Sequence, residues 1–191
     1  MVKFLEKSHT YLNEDGIIIP SVTQLLAWKF GSGYDNVPKE ILAAKAKYGT
    51  RIHKVVEDYC VKGYADAKNP IEAMSLAAYI EMSKSLPNVV GNEMLVDYEG
   101  RLAGTLDLLY EDGNIGDLKT YATLGKNEIF KTTWQICLYH FCLHGRDMDK
   151  YNKNHLLHLP KSMSFSHTEI GLDHPFEECL ALLEEWEAAH A

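Results

Sequence analysis

The sequence lacks any run of eighteen or more apolar residues, which is about the length that a membrane-spanning helix requires. Its start, MVKFLEKSHTYL, carries charged residues where an export signal would have a long apolar stretch. Repeats and low-complexity tails are also absent. These absences predict a soluble, cytoplasmic protein that does not associate with membranes.

Cysteine is scarce, with four residues scattered along the chain at Cys60, Cys137, Cys142 and Cys179. This spacing is unlike the dense cysteine framework of small secreted domains, so we expect reduced thiols packed in the core. A phosphate-binding G-x-x-x-x-G-K-[ST] loop is missing as well. Any nucleotide-driven motor activity would therefore have to come from another protein.

Positive charge is also in short supply, because 19 Lys and Arg face 27 Asp and Glu for a formal net charge of −8. Binding to nucleic acid by charge alone is disfavoured, since phosphate contacts depend on Lys and Arg. Carboxylates that hold a cation can still place positive charge at a site. With 191 residues and 46% hydrophobic content, the chain predicts one domain over residues 1–191.

The residue pattern predicts helices and strands in alternation. An N-terminal β-hairpin is expected around Asn13-Glu14-Asp15-Gly16, followed by a helix that Ser21 caps. After the Gly-rich loop GSGYDNVP, a long helix is expected from about 38 to 62, with Gly49 permitting a bend or a break. The remaining expected elements are a helix from 70 to before 87, strands at 92–98, 101–110 and 115–121, a helix at 127–144, strands at 155–159 and 165–171, and a terminal helix from 175.

The stretch GTLDLLYEDGNIGDLKTY places Asp107 on one predicted strand and Asp117 and Lys119 on the next. A three-residue loop with Gly113 left-handed would pair Tyr110 with Asn114 and put both acids and the lysine on one face. The opposite face would then hold Leu106, Leu108 and Leu118. We predict this register over the two-residue turn because it separates charges from leucines.

Two acids and a lysine on one face suit metal-dependent phosphodiester hydrolysis, since carboxylate oxygens bind Mg²⁺ or Mn²⁺ and a lysine offsets phosphate charge. The three residues alone are more typical of an ordinary exposed hairpin. His53 and Glu57 lie one turn apart on a predicted helix and could meet one cation. Each is, by itself, also typical of an ordinary helix face.

Gln135 and Tyr139 share a similar spacing on an otherwise apolar helix in WQICLYHFCLHG. A buried glutamine needs hydrogen-bond partners. Facing a functional site and being a satisfied core amide both remain open for Gln135.

Taken in order, these fragments resemble the RecB-like, phage-type exonuclease branch of the PD-(D/E)XK nuclease superfamily. The matching pattern is G-T-x-x-H-x-x-x-E, then G-x-x-D, G-D-L-K-T and Q-x-x-x-Y, over about 49 to 139. The resemblance implies a restriction-endonuclease-like α/β core, with helices flanking a mixed central sheet in the order αβββαβ after the N-terminal hairpin.

By this resemblance, the metal ligands would be His53, Asp107, Asp117 and the backbone carbonyl of Leu118. Lys119 would be the catalytic lysine, and Gln135 and Tyr139 would lie on the helix beside it. Glu57 and Glu93 are candidates for positioning these ligands without binding the metal themselves.

The activity implied is a Mg²⁺- or Mn²⁺-dependent deoxyribonuclease, more specifically an exonuclease serving phage or mobile-element recombination in a host cytoplasm. Its implied partners are DNA and either a second copy of the chain or a recombination protein. A structure-selective endonuclease and a catalytically silent DNA-binding module of the same fold remain open alternatives.

Some relatives hold an iron–sulfur cluster through one upstream and three close C-terminal cysteines. Only Cys179 follows the last predicted strands here, so we expect no such cluster. Basic residues near the motifs could line a path for DNA, and an ordinary solvated scatter is the alternative for each. These residues are Lys45, Lys47, Arg51, Lys54, Arg101, Lys119, Lys126 and Lys131.

Overall fold

The computed structural model describes residues 2–6, 8–33 and 37–190. The predicted loop GSGYDNVP is therefore described only in part, because residues 34–36 lie outside these ranges. Within the described ranges, no helix is long and apolar enough to cross a membrane.

The N-terminal region forms a small antiparallel sheet of β1 (Lys3–Leu5), β2 (Thr10–Leu12) and β3 (Ile18–Ile19). The predicted hairpin between β2 and β3 is confirmed. Asn13 organises its turn, because its side-chain oxygen accepts the backbone N–H groups of Asp15 and Ile17. Tyr11 and Ile19 of this sheet are buried against Ala103, which belongs to a later strand of the chain.

Three helices follow, and all were predicted: α1 (Val22–Phe30), α2 (Lys39–Lys62) and α3 (Pro70–Ser83). Ser21 caps α1 by accepting the N–H of Gln24, whose side chain accepts the Ser21 N–H in return. The helix α2 passes through Gly49 without a break and ends at Gly63, which is left-handed.

The second half of the chain builds the main sheet. Its elements are β4 (Val89–Tyr98), β5 (Leu102–Tyr110), β6 (Ile115–Lys119), α4 (Lys126–His144), a 3₁₀ helix (Gly145–Lys150), β7 (Asn154–His158), β8 (Ser166–Ile170) and α5 (Phe176–His190). The strands are ordered β4-β5-β6-β7-β8, with β6 and β7 parallel and the other neighbours antiparallel. The predicted α/β class, mixed sheet and αβββαβ order from α3 to β7 are confirmed.

Helices cover both faces of this sheet. On one face α1, α4 and α5 enclose a core that includes Leu25, Phe141 and Leu183. On the other face α2 and α3 pack through Ile52, Val56 and Tyr79. A two-sided sheet of this kind must bury apolar residues on both faces, and α2 and α3 cover the second of them.

Candidate metal and lysine site

In strand β5 the regular alternation of side chains between the two faces of the sheet is interrupted at Asp107. Leu102 and Leu106 pack into the core on the α4 side, whereas Leu108 and Tyr110 pack into the core on the α2 side. Alternate residues of a regular strand share one face, so the strand must be irregular between Leu106 and Leu108. The prediction that Leu106 shares a face with Leu108 and Leu118 is wrong for this reason.

The neighbouring strand is irregular at the same level. Asn92 pairs with Leu108 and Met94 with Leu106, which places Glu93 opposite Asp107. Glu93 has a φ of 47°, a left-handed conformation that is uncommon for glutamate. The sheet thus switches face at two opposed carboxylate residues, and irregular backbone of this kind is concentrated at functional sites.

The predicted β5–β6 register is confirmed. Leu108 pairs with Gly116, and the N–H of Tyr110 donates to the carbonyl of Asn114 at 2.9 Å. Gly113 has a φ of 82°, as the three-residue loop requires.

The paired residues of β5 and β6 end at Leu108 and Gly116. At the next position the side chain of Asp107, in place of a backbone carbonyl, accepts a hydrogen bond from β6. Its Oδ2 accepts the N–H of Leu118 at 2.6 Å. Asp107 and Asp117 are close enough for the charge of Asp107 to act on the pKa of Asp117.

His53 on α2 lies against this break in the sheet. Its Nδ1 is 3.2 Å from Asp107 Oδ1 and 3.6 Å from Glu93 Oε1, and its Nε2 is 3.1 Å from the carbonyl oxygen of Leu118. One ligand atom from each of His53, Glu93 and Asp107 falls within 4.8 Å of the others. We call these three residues the metal cluster.

Glu57 stands apart from the metal cluster. Its carboxylate instead forms an ion pair with Lys54 at 2.9 Å. Helical spacing from His53 and the match to the helix motif therefore do not place Glu57 in the metal cluster. Glu93, whose backbone is left-handed, lies 3.6 Å from His53 instead.

The metal cluster suits a divalent cation. Burial lowers the pKa of His53, but the carboxylates of Asp107 and Glu93 outweigh burial and hold that pKa well above its usual value. With oxygens facing both ring nitrogens, the imidazolium supplies the positive charge that these acids require. A cation with mixed oxygen and imidazole ligands could supply it instead.

Asp117 and Lys119 lie on the α4 side of β6 and continue the site. Lys119 Nζ donates to Asp117 Oδ1 and to Gln135 Oε1, both at 2.9 Å. Gln135 Nε2 then donates to the phenol oxygen of Tyr139 at 2.9 Å. We call this series the lysine chain: Asp117, Lys119, Gln135 and Tyr139.

The second carboxylate oxygen of Asp117, Oδ2, is free to accept a further ligand or hydrogen bond. Asp117 is 1% exposed, and its Oδ2 lies 2.8 Å from Lys119 Nζ. Among the described residues, that oxygen nonetheless accepts no hydrogen bond of acceptable geometry. A buried carboxylate oxygen in this state fits a cation ligand, because buried polar atoms are normally satisfied.

The lysine chain is strongly polarised. Burial raises the pKa of Asp117 to about 6 despite the neighbouring lysine, and Asp107 adds to the increase. Burial lowers the pKa of Lys119, but the Asp117 carboxylate, Tyr121 and Asp107 reverse the effect and raise it. Burial also raises the pKa of Tyr139 well above its usual value. Lys119 is therefore a cation, and Tyr139 a neutral phenol, at physiological pH.

Two glycines permit the close packing that positions the site. A Cβ on Gly49 would lie 3.1 Å from Thr120 Oγ1, so α2 approaches closely the residue that follows Lys119. A Cβ on Gly104 would lie 2.6 Å from the Tyr139 ring. These are the glycines of the G-T and G-x-x-D fragments, and close approach is the physical reason for both.

A cavity of about 150 Å³ opens beside Tyr139. It lies at the N-terminus of α1, where helix N–H groups favour anions. Tyr11 and Thr105 share a hydrogen bond of 2.9 Å in its wall. Among the described residues, its lining is formed by Phe4, His9, Tyr11, Ser21, Val22, Thr23, Gly104, Thr105 and Tyr139. The sequence motifs do not predict most of this lining, because it comes from N-terminal segments outside them.

The basic residues proposed to line a DNA path divide into two groups. Five are engaged within the protein: Arg51 with Glu72, Lys54 with Glu57 and Asp58, Arg101 with Glu187, Lys119 with Asp117, and Lys131 with the carbonyl of Gly31. Lys45, Lys47 and Lys126 are exposed. The last three are therefore the better candidates for contacts to phosphate.

Comparison with solved structures places the fold among known ones. A crystal structure of SSO0001 aligns with 90% of this chain and 75% of its own, with a TM-score of 0.53 and 14% identity. The two proteins share a fold. No protein-family model matches this chain, and neither does any curated protein sequence.

Other structural neighbours include an alkaline exonuclease, LHK-Exo, from Laribacter hongkongensis. Its complex with dAMP aligns with a TM-score of 0.44 and 15% identity, and a second structure aligns with a TM-score of 0.42 and 16% identity. Each covers 90% of this chain and 89% of the exonuclease. An exonuclease is thus among the structural neighbours. The resemblance to the PD-(D/E)XK superfamily is based on the sequence motifs and their order along the chain.

Proposed function

We propose that this protein is a metal-dependent nuclease that hydrolyses phosphodiester bonds in DNA. The observation that carries the proposal is the meeting of the metal cluster with the lysine chain at the break in β5. Asp107 belongs to the first group, and its charge contributes to raising the pKa of both Asp117 and Lys119 in the second. Acidic ligands beside a buried ammonium group suit an anionic substrate that binds together with a cation.

His53, Glu93, Asp107, Asp117 and the carbonyl of Leu118 would hold Mg²⁺ or Mn²⁺. A bound divalent cation polarises a phosphate and lowers the pKa of a water molecule. Asp107 fixes the Leu118 peptide through the 2.6 Å hydrogen bond, so it orients a neighbouring ligand in addition to acting as one. Glu93 joins the ligands here because its carboxylate lies 3.6 Å from His53.

Lys119 offsets the charge that develops on the phosphate and orients the attacking water. An amine whose pKa is raised remains protonated, so it acts as a cation and hydrogen-bond donor and not as a base. Among the described residues, Asp117 and Gln135 accept two of its three N–H bonds, so the third can donate to substrate. Tyr139 completes the chain by fixing Gln135.

We further propose that the enzyme is an exonuclease. The cavity beside Tyr139 offers hydroxyl groups and a helix N-terminus to the terminal phosphate of a strand. A strand end held there would lie next to the lysine chain. Recombination of phage or mobile-element DNA in the host cytoplasm, with a second copy or a recombination protein as partner, is the setting implied by the resemblance of the motifs.

The test is cleavage of end-labelled linear DNA with Mg²⁺ or Mn²⁺ by the unmodified protein, Asp117→Ala and Lys119→Ala. We expect metal-dependent release of short products that both substitutions abolish. Lys62→Ala, which removes a surface lysine paired with Asp58, is the matched control and should cleave normally.

Two other results would change the assignment. Cleavage of covalently closed circles as fast as linear DNA would indicate an endonuclease. Binding of DNA without cleavage in either metal would indicate a catalytically silent module and would reject the proposal.

A further inference from the structure

Two histidines meet on the edge of the main sheet, outside the nuclease site. His155 Nδ1 lies 3.0 Å from His167 Nε2. In the antiparallel β7–β8 pair, His155 is opposite Glu169 and His167 is opposite Leu157. The two imidazoles therefore project from one face as diagonal neighbours, a position from which long side chains reach each other.

The separation of the two nitrogens is close to what a metal ion needs. Ligand distances of about 2.0–2.1 Å to zinc and a tetrahedral angle imply nitrogens roughly 3.3 Å apart. The rings are tilted by 53° with centroids 5.0 Å apart, so a small rotation of the exposed ring would supply the difference. A metal would also replace the proton that the two nitrogens must otherwise share.

The surroundings provide one fixed ligand and one open side. His155 is 6% exposed, and Tyr110 packs edge-on against it at 5.2 Å and 84°. His167 is exposed and leaves room for water to complete the coordination. Burial and His167 lower the pKa of His155, although the carboxylates of Asp112 and Glu169 oppose this. A neutral imidazole is the form that binds metal.

A neighbouring carboxylate can supply a further ligand after a side-chain rotation. Glu169 is exposed and directly opposite His155, so its flexible side chain can turn towards an ion held by the histidines. Asp112, in the β5–β6 turn, is close enough for its charge to act on His155. Both acids favour a cation at this position.

We propose that His155 and His167, with Glu169 and water, form a second metal site that binds Zn²⁺ or a similar transition metal. Two imidazoles prefer such ions, whereas the acid-rich metal cluster suits Mg²⁺ or Mn²⁺. The ion would link β8, which lies at the edge of the sheet, to β7. The second site is independent of the proposed nuclease function.

The test is calorimetric titration of the 191-residue chain with Zn²⁺, in an Asp107→Asn background that weakens the nuclease site. We expect His167→Gln in that background to weaken Zn²⁺ binding by roughly 10-fold or more, since even loss of a residue that only supports a ligand costs that much. His190→Gln removes another exposed histidine and is the matched control, with affinity unchanged.

A parent protein without measurable Zn²⁺ binding, or equal affinity in the His167→Gln protein, would overturn the second site. An equal loss in His190→Gln would mean nonspecific binding by surface histidines and would overturn it too. Cleavage of DNA in Mg²⁺ by the single variant His167→Gln should match that of the unmodified protein. This arm separates the two proposals, because a protein without nuclease activity could still bind Zn²⁺ through His155 and His167.

Discussion

Asp107 accepts the backbone N–H of Leu118 at 2.6 Å through one carboxylate oxygen and faces His53 at 3.2 Å with the other. The first contact substitutes for a main-chain hydrogen bond where β5 leaves its regular path. The second contributes charge to the metal cluster. One side chain therefore has a structural task that needs only an acceptor and a chemical task that needs a negative charge.

Asp107→Asn should separate these two tasks. The amide oxygen can still accept the Leu118 N–H, so we expect the melting temperature to change little. Loss of the charge should reduce Mg²⁺-dependent cleavage by at least roughly 100-fold, the upper range for residues that merely support a metal ligand. Cleavage rates over a Mg²⁺ series, together with thermal unfolding, measure both effects.

Asp97→Asn is the matched control for this substitution. Asp97 also lies on a strand of the main sheet and accepts a backbone N–H, that of Gly100 at 3.0 Å. Its replacement should leave cleavage unchanged. Normal cleavage by Asp107→Asn at low Mg²⁺ would remove Asp107 from the metal ligands.

Much of the fold could be predicted because its signals are local. Ser21 and Gly63 mark a helix start and a helix end, and the spacing from Asp107 to Asp117 fixes a register through Gly113. These features depend on backbone geometry within a few residues. They remain valid whatever packs around them.

The irregular parts of the site could not be predicted in this way. The interrupted alternation at Asp107 arises because two neighbouring strands are irregular at the same level. The left-handed backbone at Glu93 is uncommon for glutamate, so nothing in the local sequence predicts it. Glu57 has favourable helical spacing from His53, but Lys54 on the same helix engages it. Such outcomes depend on tertiary contacts and not on local pattern.

Gln135→Ala should lower kcat while leaving KM nearly unchanged. Gln135 contacts Lys119 and Tyr139 at 2.9 Å each, so its loss frees the lysine to move without removing its charge. A misplaced catalytic group of this kind costs roughly 10- to 100-fold in rate. Steady-state cleavage kinetics with separate kcat and KM values check the prediction.

Tyr139→Phe tests the same chain one step further from the lysine. The Gln135 amide would lose its acceptor but could keep its contact to Lys119, so the loss in kcat should be smaller than for Gln135→Ala. A larger loss would show that the phenol itself contacts substrate. Unchanged kcat in Gln135→Ala would show that Lys119 is positioned without it.

Gly104→Ala should destabilise the protein by overpacking the contact between β5, α1 and α4. The added Cβ would lie 2.6 Å from the Tyr139 ring and 3.2 Å from Val22. Forced repacking of a core usually costs about 1–3 kcal/mol. Urea unfolding measures the loss, and Ala103→Gly at the preceding position gives a comparison in which a side chain is removed instead. Unchanged stability together with normal cleavage would mean that Tyr139 can shift without consequence.

Acid should destabilise the protein through His140. This residue is fully buried, and its Nε2 lies 2.7 Å from Asn154 Oδ1. Burial lowers the pKa of His140 from 6.5 to about 4, against the effect of Asn154. Between about pH 6.5 and pH 4, His140 is therefore protonated in the unfolded chain and neutral in the folded protein. The stability that neutral His140 contributes is complete above about pH 6.5 and falls as the pH decreases towards about 4.

His140→Gln removes this titration and keeps an amide that can donate to Asn154. At pH 7.5 the variant should be the less stable protein, because it alters a close-packed core. Its deficit relative to the unmodified chain should shrink by on the order of 3 kcal/mol between pH 7 and pH 4, since each pKa unit corresponds to about 1.4 kcal/mol. Urea unfolding at several pH values measures the difference. A deficit that stays constant across this range would mean that the pKa of His140 is the same in the folded and unfolded chains, and the prediction would be wrong.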